Sequence, residues 1–156
     1  MDYPDVTYVL QVGLTDRAQY IHRLGRTARA GKEGKGGLLL ANYEEYHMTK
    51  RELLDMPLER IVLPNSSTRR ANDIASFAIG NVSRNKPLRN SAEQAYRAWL
   101  GYYNGHLKKV QWDKKQLVVQ ANAFGTEVGL VEQPSLQKRT VGKMGLKGVP
   151  GIKIEG

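Results

Sequence analysis

Two short apolar strands, each followed by a helix-forming stretch, lie within the first 56 residues, and this order constrains the fold more than any other feature of the chain. Residues 6–12, VTYVLQV, are rich in β-branched and aromatic side chains and read as a buried strand. Asp16 is placed to cap a helix from Arg17 to about Arg29, with Gly31 as its stop signal. Leu38–Ala41 reads as a second buried strand, and another helix is expected over Glu44–Asp55, ahead of Pro57. Strand, helix, strand, helix is a βαβα unit, whose strands run parallel because a helix carries the chain back across the sheet. Two short parallel strands cannot bury both faces, and parallel sheets are normally covered on both sides. Residues 1–56 are therefore expected to be the end of a larger domain.

After Pro57 the character changes. PNSSTRR reads as a loop into a helix with Ile74, Phe77, Ala78 and Val82 on one face, and NKPLRN as its break. Ser91 and Gln94 have the spacing of a capping box, opening a helix whose stripe is Ala92, Tyr96, Trp99, Tyr103 and Leu107. That stripe reads as core, a base-stacking platform being the alternative. Asp113 is placed to cap a further helix, with Leu117, Ala121 and Phe124 inward and Gly125 at its end. Residues 57–130 are thus a helical region, and the Gly- and Lys-rich residues 131–156 are expected to be loosely ordered.

Charge divides the chain at the same place. Residues 1–56 balance eight Lys/Arg with eight Asp/Glu, whereas residues 57–156 hold sixteen against seven and so carry the whole net charge of +9. Such a surface suits a polyanion, nucleic acid above all; the other reading is a basic region with no dedicated partner. The lack of cysteine excludes disulfides and thiolate metal sites. No run approaches the roughly 18–20 apolar residues that cross a bilayer, so no membrane partner is expected. The N-terminal MDYPDVTYVLQVG has neither the basic start of a signal peptide nor the arginines of a transit peptide.

The densest basic stretch outside that region is YIHRLGRTARAG, residues 20–31. On a helical wheel Ile21, Leu24 and Ala28 share a face that would pack on the sheet, and His22, Arg26 and Arg29 share the opposite one, with Arg23 at its flank. Glu33 is the only acid between residues 17 and 43, so this face lacks the acids that usually lace an exposed basic helix. Converging guanidiniums suit phosphate oxygens, being rigid forks of donors that stay charged. A solvated helix face is the other reading.

HRLGRTARAG resembles the HRxGRTxRxG motif, motif VI, of the DEAD-box RNA helicases, and MDYPDV resembles the end of motif V in the same family. The resemblance covers residues 1–56 and implies a truncated RecA-like parallel sheet followed by a mostly α-helical extension. It implies that Arg26 and Arg29 are arginine fingers on the γ-phosphate of ATP, that Asp2 contacts the ribose, and that His22 and Arg23 couple two RecA-like domains. Gly25 and Gly31 would serve backbone geometry. Ala28 stands where the motif usually has glycine, and QVGLT where many members have Asp-x-Pro; both variants resemble a fungal mitochondrial subset of RNA chaperones in intron splicing. The stretch AYRAWLGYYNGHLKKVQWDKKQLVVQANAFG and the later KMGLKGVPGI are similar in layout to that subset's extension, which braces the second RecA-like domain and contributes to RNA binding; nucleolar members have related extensions. Lys108, Lys109, Lys114, Lys115, Lys138, Arg139 and Lys143 are the phosphate contacts expected there, independent of base sequence and sensitive to salt.

These residues hold no Gly-Lys-Ser/Thr turn to cradle phosphates and no Asp-Glu-Ala-Asp to hold Mg²⁺, so no metal ligands are expected in them. The expectation is a C-terminal portion of an ATP-dependent RNA helicase, begun at an internal methionine and inactive alone. Its partners are RNA, ATP with Mg²⁺ and a missing first RecA-like domain, in the mitochondrial matrix or alternatively the nucleolus. A non-catalytic RNA-binding module is the competing reading.

Overall fold

A computed structural model describes residues 6–28, 32–62 and 65–156, the side chains of 65–70 excepted. The chain forms two compact units, residues 1–58 and 59–156.

The first unit is built on a two-stranded parallel sheet. Strand β1 (Tyr8–Val12) pairs with β2 (Lys35–Leu39), Tyr8 opposite Lys35 and Val12 opposite Leu39. The second strand thus starts three residues before the expected Leu38, because Gly36 and Gly37 let other side chains cross the sheet. A Cβ on Gly36 would collide with Leu24 and one on Gly37 with the Tyr8 hydroxyl. Helix α1 (Arg17–Leu24) crosses between the strands, its first turn capped by Asp16, which accepts from the Gln19 amide at 2.8 Å.

That helix stops at Gly25, well before the expected Arg29. The Arg26 and Thr27 amides fall back to three-residue bonds on the Arg23 and Leu24 carbonyls, and the Thr27 hydroxyl donates to the Val6 carbonyl. Its sheet-facing side is also turned by one position: Tyr20 is buried and Leu24 half-buried, whereas Ile21 is exposed and Ala28 lies beyond the helix at φ +57°. Nor is β1 a buried strand. Gln11 is buried, but Tyr8, Leu10 and Val12, alternate residues on one face, are 52–67% exposed.

Helix α2 (Asn42–His47) runs into a π-helical turn, Met48–Glu52, which together replace the single helix expected over Glu44–Asp55. Glu44, buried, joins this segment to the sheet: its carboxylate accepts from the Leu14 amide at 3.2 Å and the Ala41 amide at 2.9 Å. Met48 and Leu53 complete a small core with Leu14 and Tyr20.

The second unit is helical. Helix α3 (Asn65–Gly80) does not bury its expected face: Ile74 and Phe77 are exposed, and only the end of the helix meets Gly129. Helix α4 (Lys86–Gly105) starts before Ser91, since Asn85 caps it and Pro87, taken as a breaker, sits in the first turn where its missing N–H costs nothing. Ser91 instead donates back to the Pro87 carbonyl at 3.1 Å. A one-turn α5 (Leu107–Val110) leads to α6 (Lys114–Glu127), capped by Asp113 as expected. The α4 stripe is core: Ala92, Tyr96, Leu100 and Tyr103 are buried against Leu117, Val118 and Ala121, with Leu100 rather than Trp99 at its centre. Gly125 lies inside α6, not at its end. A Cβ there would stand 3.1 Å from the Tyr96 ring and collide with Gln133, so the glycine permits close approach. The stop is Gly129, at φ +88°.

Residues 131–156 are not a loose tail. Leu136 pairs with Ile154 in a parallel bridge, α7 (Lys138–Lys143) follows, and Leu136, Val141 and Leu146 are buried. The Asn122 amide donates to the Gly151 carbonyl at 3.1 Å and its oxygen accepts from the Tyr96 hydroxyl at 2.9 Å. Three buried apolar anchors, with the Leu136–Ile154 bridge, offset the entropy that the Gly and Lys content suggests.

Candidate functional site

In the first unit the basic side chains gather beside β1. His22 occupies the last turn of α1, Arg23 follows it, and the break at Gly25 swings Arg26 back toward the strand. With Val9, Leu10, Gln11 and Val12 they border an open cleft of about 550 Å³. The expected arrangement, arginines pointing away from the sheet, is corrected by that early helix end. Arg26 Nη2 lies 2.6 Å from His22 Nε2. A guanidinium only donates, so His22 Nε2 is the acceptor in this contact. Arg23 Nη2 donates to Gln19 Oε1 at 2.9 Å, which holds its guanidinium back along α1. Under the cleft Gln11 donates to the Tyr20 carbonyl at 3.1 Å, while its buried Oε1 has no hydrogen-bond partner. Asp2, Arg29 and Gly31 lie outside the described residues.

This donor set fits the phosphate end of a nucleotide. Arg26 presents an exposed guanidinium held beside His22 at the cleft. Among the described residues no three His, Cys, Asp or Glu side chains converge as metal ligands.

The basic residues of the second unit do not act alike. Lys114 turns inward: its ammonium donates to Asn104 Oδ1 and, at 2.7 Å, to the Met144 carbonyl. It therefore joins the end of α4, the start of α6 and the segment after α7, and is a staple where a free phosphate contact was expected. By the same bonds it brings α5 with Lys108 and Lys109, the start of α6 with Lys115, and the end of α7 with Lys143 to one end of the helical unit. Lys108, Lys115 and Lys143 are exposed there, and Lys109 is half-buried. Lys138 and Arg139, also exposed, stand at the other end of α7. A signal for the staple was present in the sequence: a lysine in the first turn of a helix opposes the helix dipole and calls for an acceptor.

Tyr102 and His106 belong to this end and escaped the wheel, which singled out inward positions. Their rings stack at 4.4 Å, and His106 Nδ1 lies 2.7 Å from the Tyr102 carbonyl. Behind them Trp99, Tyr103, Trp112 and Phe124 form a continuous aromatic cluster.

A parallel strand pair with its crossover helix and a following arginine turn, joined in one chain to a helical extension, matches the fold of a RecA-like C-terminal domain with its extension. In sequence the chain matches the C-terminal part of DEAD-box ATP-dependent RNA helicases. It is 49% identical over 156 residues to DEAD-box ATP-dependent RNA helicase 31 of Arabidopsis thaliana, covering 99% of this chain and 20% of that protein. It is 45% identical to DEAD-box ATP-dependent RNA helicase 25 of the same plant, covering 99% and 26%. The chain thus spans about a quarter or less of the length of these curated relatives. Among solved structures, Mss116p bound to single-stranded RNA and AMP-PNP matches with TM-score 0.68 and 23% identity, over 99% of this chain and 31% of that one. Mss116p helicase domain 2 bound to an RNA duplex matches with TM-score 0.69 and 22% identity, over 99% and 61%. No family model matches.

Proposed function

We propose that this chain supplies the arginine side of the ATP cleft and a basic RNA-contacting end to an ATP-dependent RNA helicase. The observation that carries this is the Arg26–His22 contact at 2.6 Å, which fixes an exposed guanidinium at the mouth of the cleft beside β1. ATP brings the phosphoryl group; Arg26, with Arg29 from the same motif, would neutralise the charge that develops on it, and His22 would hold the Arg26 fork in place. Preorganised cations of this kind are worth about 10³–10⁵ in rate. Asp2 is proposed on the ribose and Arg23 in coupling to a first RecA-like domain, which would provide the phosphate cradle and the Mg²⁺ ligands. Lys108, Lys109, Lys115 and Lys143 are the phosphate contacts favoured at one end of the extension, with Lys138 and Arg139 beyond them. The mitochondrial matrix is proposed as the location, to be tested with a tagged chain in cells.

The test is RNA-stimulated ATPase. The chain alone should show no turnover, and joined to a complementary first domain it should turn over ATP, with Arg26→Ala lowering the rate by about 10³ or more. Turnover by the chain alone that vanishes in Arg26→Ala would overturn the proposed inactivity. An unchanged rate for Arg26→Ala in the joined protein would overturn the finger.

A further inference from the structure

We infer that Tyr102 and His106 form a stacking subsite for an unpaired RNA base beside the basic end of the helical unit. This rests on the RNA-contacting reading of that end and adds what the lysines cannot supply, a reason for single strands to be held differently from other polyanions.

Tyr102, in α4, and His106, which caps its C-terminus, lie off the buried stripe of that helix. The buried stripe of that helix is Ala92, Tyr96, Leu100 and Tyr103, and Tyr102 lies off it, 42% exposed. Its ring is held on two sides: edge-on by Tyr103, with centroids 5.0 Å apart at 89°, and face-on by His106, 4.4 Å apart at 28°. His106 is held in turn, its Nδ1 donating to the Tyr102 carbonyl at 2.7 Å where the helix ends. The pair is therefore an ordered stack on a rigid aromatic base, not a swinging surface ring.

The next four residues of the chain are α5, which carries Lys108, exposed, and Lys109. A ring stack followed directly by cations is the combination that binds single strands, since every base has a π face and every nucleotide a phosphate. A duplex offers the phosphates with its bases already stacked on one another, so the subsite favours an unpaired nucleotide. Because stacking releases no counterions, its contribution persists as salt weakens the lysine contacts.

The full 156-residue chain should be titrated with a fluorescent oligouridylate and with an abasic oligomer of equal length and charge, at two salt concentrations. The base-bearing strand should bind about tenfold more tightly, and the ratio should hold as salt rises. Tyr102→Leu should abolish the ratio and Tyr102→Phe, which keeps the ring, should restore it. Equal binding of the two strands by the unaltered chain overturns the subsite and needs no variant to interpret. If both strands then bind with steep salt dependence that Lys108→Ala and Lys115→Ala weaken, the phosphate reading stands without it. Base preference that persists without lysine dependence supports the subsite and overturns the phosphate reading, and binding of neither strand overturns both.

Discussion

The two units solve the packing problem in different ways. The helical unit closes on itself: Tyr96, Leu100, Leu117, Val118, Ala121, Val141 and Leu146 are all 0–1% exposed, and the last 26 residues are folded into that core. The sheet unit has a small core of Leu14, Tyr20, Met48 and Leu53 and leaves Tyr8, Leu10 and Val12 bare on a strand that, among the described residues, pairs on one edge only. Parallel sheets are stable when both faces are covered, and this face of the sheet unit is exposed instead. The helical unit needs no such neighbour except along α3, where Phe77 is 79% exposed.

The widest contrast comes from one substitution made in both units. Leu100→Ala removes a fully buried side chain and should cost about 3–5 kcal/mol, read as a fall in the urea midpoint followed by helical circular dichroism. Leu10→Ala, at an exposed position, should stay within about 0.5 kcal/mol. Leu10→Lys would sharpen the comparison, because it should reduce concentration-dependent self-association through the open strand edge without lowering the midpoint. Equal losses at Leu100 and Leu10 would break the distinction between the units.

A smaller effect separates two close approaches. Gly125→Ala drives a methyl toward the Tyr96 ring, 3.1 Å away, and should destabilise the helical unit by about 1–3 kcal/mol. Ala28→Gly acts in the opposite direction. Ala28 holds φ +57°, a conformation that costs an L side chain about 1–2 kcal/mol, part of which glycine returns as unfolded-chain entropy. The net should be a gain of about 0.5 kcal/mol in the sheet unit, measured by the same midpoint.

These residues also show how far the sequence could be read. The strand–helix–strand order, the caps at Asp16 and Asp113 and the Ala92–Tyr96–Tyr103 stripe were legible because each depends on neighbours a few positions away. The RecA-like class came from a ten-residue motif, whereas the wheel placed Ala28 on the helix and its left-handed backbone was not foreseen. What was missed depends on contacts distant in sequence. The Val6 carbonyl, which accepts from Thr27, helps end α1 early, and Gln133 and Tyr96 explain Gly125 inside a helix. Asn104 and Met144 turn Lys114 inward, and no spacing rule links residues ten and thirty apart. The tail was misjudged by composition, since three buried side chains, Leu136, Val141 and Leu146, among many glycines and lysines are enough to fold it.

The smallest effects are those of pH, and they divide the units on one side of neutrality only. Each unit has an exposed acid held below its ordinary carboxylate range by a cation: Asp55 by the hydrogen bond from Arg17, and Glu132 by that from Lys153 at 2.8 Å. A depressed pKa adds stability that is present above the unfolded value and is lost as pH falls through the folded one, so both units should weaken slightly on acidification. Salt should shrink that loss, since both pairs face water. On the alkaline side burial pushes the Tyr96 phenol above its ordinary value near 10. Its contribution is whole below the unfolded pKa and declines as pH rises from there toward the folded one, because the unfolded chain releases the proton first. Tyr96→Phe should remove this alkaline decline from the helical unit and, by deleting the bond to Asn122, lower its midpoint at neutral pH by about 1 kcal/mol. A Tyr96→Phe chain that weakened with alkali as steeply as the unaltered one would place that sensitivity elsewhere than in the α4–α6 core.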